Sequence, residues 1–420
     1  MAAVLFDRPM HIALMSPAWP LKRYPNGVVT YVHWMRQELT RQGHRVSVFT
    51  GSLAEPGDGV YLVRPTLTYR ACVWLESRRG VSGSSVFHWG GAYAGAVLEV
   101  HREHAIDVIE MEESFGWPAH IMSGTSIPTV VKLHGPAFMT LVDEEMSLPN
   151  ARTRIEREGA ALRQAQVLIS PARHTLDATI ERYHLTPAIH RRVVNPLALP
   201  ESAPLWDLNR CDRSTLLFVG RFDKLKGGDI VMRAFARLLA ANPDLKLIFV
   251  GPDAGISAID GKRISFDEFK STLFAGPAAT RVDYRGKLAP DDIYVLRAHA
   301  LITIVGSRWE NQSYTALEAM LQGCPLVSSD AGGQREIIVD GVTGLLAKTG
   351  SFEDLSAKIQ TLIDAPERAA ELGRHAREYV LEHHAPSRVV AETLAVYEEA
   401  IAIGKPRRHA RRKLFPVASR

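Results

Sequence analysis

The stretch "FVGRFDKLKGGDIVMRAFARLL", residues 218–239, sets an apolar run, a short loop with Arg221, Lys224 and Lys226, two glycines and an amphipathic helix in direct succession. A buried strand that turns through a glycine-containing loop into a helix points free backbone N–H groups at whatever sits above the helix start. The loop's cations add direct charge, so the expected ligand is an anion, phosphate first. The spacing is neither the G-x-x-x-x-G-K-[ST] of a P-loop nor the G-x-G-x-x-G of a dinucleotide site, and neither pattern occurs elsewhere in the chain.

Working outward, strand and helix signals alternate along the chain. Before the linker come "HIALMS", "VVTYVHWMRQELTRQG", "RVSVFT", "GAYAGAVLEVHREH", "IDVIEM", "PTVVKLHG", "IEREGAALRQA" and "QVLISP". Short Val- and Ile-rich runs separated by amphipathic helices are what a parallel sheet covered on both faces requires. The Pro-rich stretch 195–214, "NPLALPESAPLWDLNRCDRS", breaks the rhythm as an interdomain linker would, and the alternation then restarts from "TLLFVG" to "SFEDLSAKIQTLID". The expected architecture is α/β, with two doubly wound Rossmann-like domains facing a central cleft, where ligands of open α/β sheets bind. The expected boundaries are residues 1–200 and 201–385, a C-terminal helix over 386–403 that packs on either domain, crossing back to the first in one arrangement, and a basic tail over 404–420.

The chain of 420 residues is too long for one ordinary core. A net charge of +4 with 23% charged residues does not mark a nucleic-acid binder. The basic excess is local: the tail from Lys405 to Arg420 suits either a solubilising end or peripheral contact with an anionic membrane surface. Cys72, Cys211 and Cys324 form no C-x-x-C pair, so neither a disulfide framework nor a zinc site is indicated, and a reducing cytoplasm fits. No apolar run approaches the length of about 18 residues that a membrane span needs.

Residues 301–346, "LITIVGSRWENQSYTALEAMLQGCPLVSSDAGGQREIIVDGVTGLL", read as strand, polar loop, helix capped by Ser313, a close at Gly323 and Pro325, a further strand and a "GG" loop. Glu310 before that helix and Glu318 on it can point at one ligand, and ionised carboxylates suit sugar hydroxyls. Taken alone, two glutamates eight apart are a solvated helix face. Likewise His134 alone reads as a loop histidine, "HREH" (101–104) and "HH" (383–384) as helix surface, and Glu110, Glu112 and Glu113 as solvated charges or acceptor contacts at a strand end. Trp74, Phe87, His88 and Trp89 read equally as an acceptor wall or as interdomain packing.

Together, "VGRFDKLKGG", the Glu310-x7-Glu318 pair inside "SRWENQSYTALEAMLQGCPLVSSDAGGQREII" and "DGVTGLL" resemble the C-terminal domain of family 4 glycosyltransferases, which have the GT-B fold. "NGVVTYVHWMRQELTRQGHRVSVFT" and "VVKLHGP" agree more loosely in the first half. The resemblance, over about residues 10–400, implies a retaining transfer of a sugar from a nucleotide-diphosphate sugar, with no metal and no further cofactor in the site. By the same matching Arg221 and Lys226 hold the donor pyrophosphate, Glu318 the ribose, Glu310 the donor sugar, and His134 reaches that sugar from the opposite domain. Asn26 and Gly27 lie near the phosphates, and backbone N–H groups around Ser313, Tyr314 and Thr315 complete the cradle. The anion expected at the opening loop is then a diphosphate leaving group.

UDP-sugars lead as donors and GDP-sugars follow. The acceptor is a saccharide, a lipid-linked sugar or a small natural product. The sequence departs from the family's E-x-F-G in reading "ENQSY", and from its paired glycines in reading "PNG". The alternatives are a GT-B epimerase or phosphorylase, or a nucleotide-sugar-binding protein without turnover. No segment supplies a pyridoxal phosphate lysine, and a binder has no need of Arg221, Lys226, Glu310 and Glu318 together.

Overall fold

The computed structural model describes residues 8–55, 57–79, 85–141, 149–257 and 262–404. The basic tail therefore lies outside the described residues, as does 80–84 within the aromatic stretch. The first sheet contains β1 (His11–Ser16), β2 (Arg45–Thr50), β3 (Val60–Leu62), β4 (Val108–Glu112), β5 (Thr129–Lys132), β6 (Val167–Ser170) and β7 (Ile189–Arg192) in the order β3-β2-β1-β4-β5-β6-β7. In the second half come β8 (Asp212–Val219), β9 (Lys246–Val250), the small hairpin β10 (Ile256–Ser257) and β11 (Arg263–Ile264), β12 (Val282–Gly286), β13 (Ala300–Val305), β14 (Leu326–Ser329) and β15 (Leu345–Ala347). The second sheet runs β12-β9-β8-β13-β14-β15.

Both sheets are parallel throughout, and every residue of β1, β5, β6, β13 and β14 is buried. That explains their unbroken apolar runs: helices cover both faces, so no position alternates outward to water. In each sheet the strand order reverses beside the first strand, between β1 and β4 and between β8 and β13. Crevices open there at the C-terminal strand ends, and ligands of such sheets bind in them.

The segments singled out from the sequence leave those strand ends. Residues 220–227 follow β8, 306–313 follow β13, Glu113 follows β4 and His134 follows β5. The two halves touch through charged groups and backbone. Glu336 accepts the N–H groups of Arg173 and His174 at 2.9 and 2.8 Å, at the start of helix Arg173–Tyr183, and pairs with Arg192 at 2.9 Å.

The stretch between β7 and β8 is tied down along its length. Leu197 N–H donates to His384 O, and Trp206 donates through its indole N–H to Ala300 O at 2.8 Å. The last helix, Pro386–Ile403, lies against the first half: Val389, Val390, Val396 and Tyr397 share a buried cluster with Ile12, Leu14, Val108 and Val130. Its Tyr397 hydroxyl donates to Glu110 Oε2 at 2.9 Å.

Candidate functional site

The loop after β8 is shaped by glycine. Gly227 has φ +69°, and a Cβ there would lie 1.8 Å from the carbonyl oxygen of Gly306, so the two loops of the second half meet backbone to backbone. The helix Gly228–Ala241 starts from this contact. Arg308 fastens the pair: its N–H donates to Leu225 O at 2.8 Å, and its guanidinium binds both carboxylate oxygens of Asp229 at 2.8 and 2.7 Å.

The cations expected to read the anion stand beside carboxylates. Arg221 Nε is 2.6 Å from Asp223 Oδ2, and Asp223 Oδ1 accepts the N–H of Lys226 at 2.6 Å. Lys226 Nζ donates to Glu310 Oε1 at 2.7 Å, an oxygen that also accepts from Ser307 Oγ at 2.7 Å. Glu310 is buried, whereas the Arg221 side chain is half exposed. Gly332 (φ +52°) fits under Glu310: a Cβ there would come 2.3 Å from the Glu310 carbonyl oxygen, which accepts the N–H of Gly333 at 2.8 Å.

Helix Tyr314–Gln322 begins beside the end of β8. Ser313 caps it by accepting from Ala316 N–H at 3.4 Å, and Thr315 Oγ1 donates to Val219 O at 3.4 Å. Its first N–H groups are the orphan donors that favour an anion. Across the cleft Asn26 caps helix Gly27–Arg41 by accepting from Val29 N–H at 3.0 Å, so its side chain serves the helix. A Cβ on Gly27 would stand 3.8 Å from Tyr314 Cδ2, which places the two helix starts face to face.

Glu318 is held by a residue that sequence reading passed over. Arg297, fully buried, donates to Glu318 Oε2 at 2.8 Å and to Gln322 Oε1 at 2.7 Å. Arg297 sits inside the plain helical run "DDIYVLRAHA", and nothing local announces a partner 21 residues away.

On the first half, His134 rests on buried carboxylates. Glu113 accepts the N–H groups of His134 and Gly135 at 2.9 and 2.7 Å, and Glu158 accepts those of Ala137 and Phe115 at 2.7 and 3.1 Å while pairing with Arg154 at 2.8 Å. Burial, reinforced by the charge of Glu158, pushes the Glu113 carboxyl up to about 8. Burial and the neighbouring Lys132 push the His134 imidazole down to about 3, so it is neutral at physiological pH. Lys132 is itself buried and lowered to about 8; its ammonium donates to Val193 O at 3.1 Å and lies 4.3 Å over the Tyr31 ring, whose edge meets His134 at 5.2 Å.

These contacts correct the solvated readings. Glu110 and Glu113 are buried and engaged with Tyr397 and with backbone, and Glu112 accepts from Ser114 Oγ at 2.9 Å. His384, read as helix surface, is fully buried with Nδ1 2.9 Å from Asn195 O. Of the aromatic stretch, Phe87 is core and meets Phe115 edge to face, Trp89 packs on Tyr69 and Tyr93, and Trp74 is 52% exposed. Among the described residues no cluster of His, Cys, Asp and Glu suits a metal ion, and no helix is long and apolar enough to cross a membrane.

Two parallel Rossmann-like sheets, the second with cations, a buried carboxylate and a helix start at its switch point, define the architecture. Residues 208–379 match the family described as Glycosyl transferases group 1, and residues 26–197 match the Glycosyl transferase 4-like domain. The chain belongs to the GT-B glycosyltransferases of family 4. It is 27% identical over 417 residues to the D-inositol 3-phosphate glycosyltransferase of Rhodococcus jostii, covering 90% of this chain and 88% of that one.

Among solved structures, sucrose-phosphate synthase from Thermosynechococcus elongatus superposes with TM-score 0.71 at 19% identity, over 94% of this chain and 100% of that one. The Anabaena protein HepE in complex with UDP-glucose does so with TM-score 0.65 at 18% identity, over 92% and 99%. At such identities these likenesses speak for the fold.

Proposed function

We propose that this glycosyltransferase moves a sugar from a nucleotide-diphosphate sugar, UDP-sugar first and GDP-sugar next, to an acceptor hydroxyl with retention of configuration and without a metal. The observation that carries this reading is the Lys226–Glu310 contact of 2.7 Å, with Arg221 on the same loop, beside the open start of helix Tyr314–Gln322 and across from a neutral His134. In this reading Arg221, Lys226 and the N–H groups of Tyr314 and Thr315 take the diphosphate. They stabilise the charge that grows on it as the bond from the anomeric carbon to the phosphate oxygen breaks, commonly the largest catalytic term. The two cations fill the role a divalent ion has in other transferases.

Glu318 Oε1 takes the ribose hydroxyls, and Glu310 with His134 takes hydroxyls of the donor sugar; a neutral imidazole can donate to one and accept from another. The acceptor oxygen bonds the anomeric carbon on the face the leaving group departs, and its proton passes to a phosphate oxygen of the leaving diphosphate. UDP-glucose in the HepE complex supports the uridine donor. The name of the Rhodococcus relative puts a phosphorylated cyclitol on the acceptor panel, beside saccharides and lipid-linked sugars.

The test is nucleotide release from UDP-, GDP-, ADP- and dTDP-sugars with the acceptor panel, with and without EDTA, for the wild type and for Lys226→Ala, Arg221→Ala and Glu310→Ala. One donor should be turned over regardless of EDTA, and Lys226→Ala should lower kcat by about 10²–10³-fold. Full turnover in Lys226→Ala would refute the assigned role, and no binding of any donor would sink the donor site. A glycosyl-enzyme adduct trapped on mass spectrometry would exclude same-face attack.

A further inference from the structure

Glu310 is followed by two amides whose side chains leave the donor-side loop and enter the other half of the molecule. Asn311 and Gln312 are 4% and 7% exposed. Asn311 Nδ2 donates to Leu133 O at 2.9 Å, and Asn311 Oδ1 accepts from Ser170 Oγ at 3.4 Å. Gln312 Oε1 accepts the N–H of Asn195 at 2.6 Å, and two residues on the Tyr314 hydroxyl donates to Pro196 O at 3.2 Å.

Each of these contacts lands on a consequential element. Leu133 is the residue before His134, Ser170 ends β6, and Asn195 lies in the strand-to-strand connection between the two sheets. The backbone of Asn311 is also wedged from behind. A Cβ on Gly333 would stand 1.8 Å from the Asn311 carbonyl oxygen and 2.7 Å from Ala172 Cβ, so only glycine admits this approach.

The "ENQSY" departure thereby acquires a physical meaning. Gln312 stands where the resembled pattern carries phenylalanine, and it supplies an acceptor to a buried backbone N–H of the opposite half, which a phenylalanine lacks. Asn311 uses both ends of its amide, and an amide that bonds through both ends has one orientation.

We infer that Asn311 is a positioning residue of the transfer reaction: through the Leu133 carbonyl it ties the loop bearing His134 to the loop bearing Glu310, with Gln312 securing the connecting segment beside it. The two groups that flank the donor sugar are then set as one unit across the cleft. This rests on the roles given to His134 and Glu310 above, and a misplacement of about 1 Å at such a site costs on the order of 10²-fold in rate.

The test uses the full chain with the donor and acceptor found in the release assay. In Asn311→Ala, kcat should fall by about 10²-fold while donor KM moves by less than about threefold. In a cycle with His134→Ala the two losses should fail to multiply, because the amide acts through the histidine. Amide hydrogen exchange of the segment 133–141, which needs no substrate, should quicken in Asn311→Ala. Ser170→Ala, which removes the weaker half of the contact, should shift both readouts the same way by less and covers the case in which Asn311→Ala fails to fold. Losses that multiply, or a kcat that survives, overturn the positioning role. Unchanged exchange overturns the tie itself, whatever His134 does. A His134→Ala enzyme at full turnover with quickened exchange in Asn311→Ala refutes the histidine's role and leaves the tie standing.

Discussion

Residues 220–227 and residues 133–137 face one cleft and are held in opposite ways. The first loop is fixed by backbone contact at Gly227, and its cations are partly open: the side chains of Arg221 and Lys226 are 51% and 33% exposed, beside Asp223 of the same loop and the buried Glu310 of the loop after β13. Around the second loop the carboxyl groups are turned inside. Glu113 and Glu158 are fully buried and bind backbone N–H groups, and they hold up a histidine that burial keeps neutral. A loop whose cations are shared with nearby carboxylates can redirect them to an arriving anion. A loop whose own N–H groups are taken up by buried carboxyl groups of neighbouring elements presents a fixed shape. Charge and shape are thus divided between the two halves of the cleft.

The largest effect should come from breaking the backbone contact between the loops after β8 and β13. Gly227→Ala puts a methyl group 1.8 Å from Gly306 O at φ +69°, and Gly306 leads directly into Ser307 and Glu310. The expected outcome is a loss of about 1–3 kcal/mol or more in urea unfolding together with a collapse of turnover. Gly43→Ala is the internal control, since Gly43 has φ +88° with nothing within 4 Å of an added Cβ. If both variants lose the same stability, conformational strain alone explains the loss and the interlock of the two loops is not what holds the site.

A second break addresses the buried side. The Glu113 carboxyl rises in the fold from its ordinary 4.5 to about 8, chiefly through burial. A raised carboxyl contributes stability that is full below the unfolded value and is lost as pH climbs through the folded one, because the unfolded chain sheds the proton first. His134 and His384 are lowered to about 3 and about 4, so their contribution is lost only as pH falls below 6.5, outside the window of interest. Between pH 6.5 and 8 the wild type should therefore lose more stability than Glu113→Gln, read as the difference between the two urea midpoints at each pH. Parallel midpoints would show that Glu113 does not titrate there.

What sequence could reveal follows the range of the interactions. The sheets were legible because period and composition are local: "HIALMS" and "LITIVGS" are buried on both faces and read so. The loop after β8 was legible as a strand-to-helix turn because cations, glycines and a helix start sit within ten residues. The supports were not. Arg297 reaches Glu318 over 21 positions, Arg308 reaches Asp229 over 79, and Asn311 reaches Leu133 over 178. Glu113 looked like a loop charge because its partners are backbone N–H groups, which every sequence offers and none advertises. His384 was misplaced for the same reason, since its partner is the carbonyl of Asn195.

The smallest effect sharpens the comparison most directly. If the charges of the loop after β8 are exchangeable, removing one should cost little. Asp223→Asn keeps an oxygen for the Lys226 N–H, bonded at 2.6 Å, but sets its amide nitrogen against Arg221 Nε, so it gives up the whole of the 2.6 Å contact with Arg221. Because the Arg221 side chain is half exposed, solvent screens that pair, and the expected cost in urea unfolding is under about 1 kcal/mol, shrinking further in high salt. Donor KM should stay level or fall, since Arg221 then has one anion fewer to leave before it meets the diphosphate. A loss above about 2 kcal/mol that salt does not relieve would place this pair with the buried carboxylates of the opposite loop, and the division between an exchangeable and a committed side of the cleft would fail at its most exposed member.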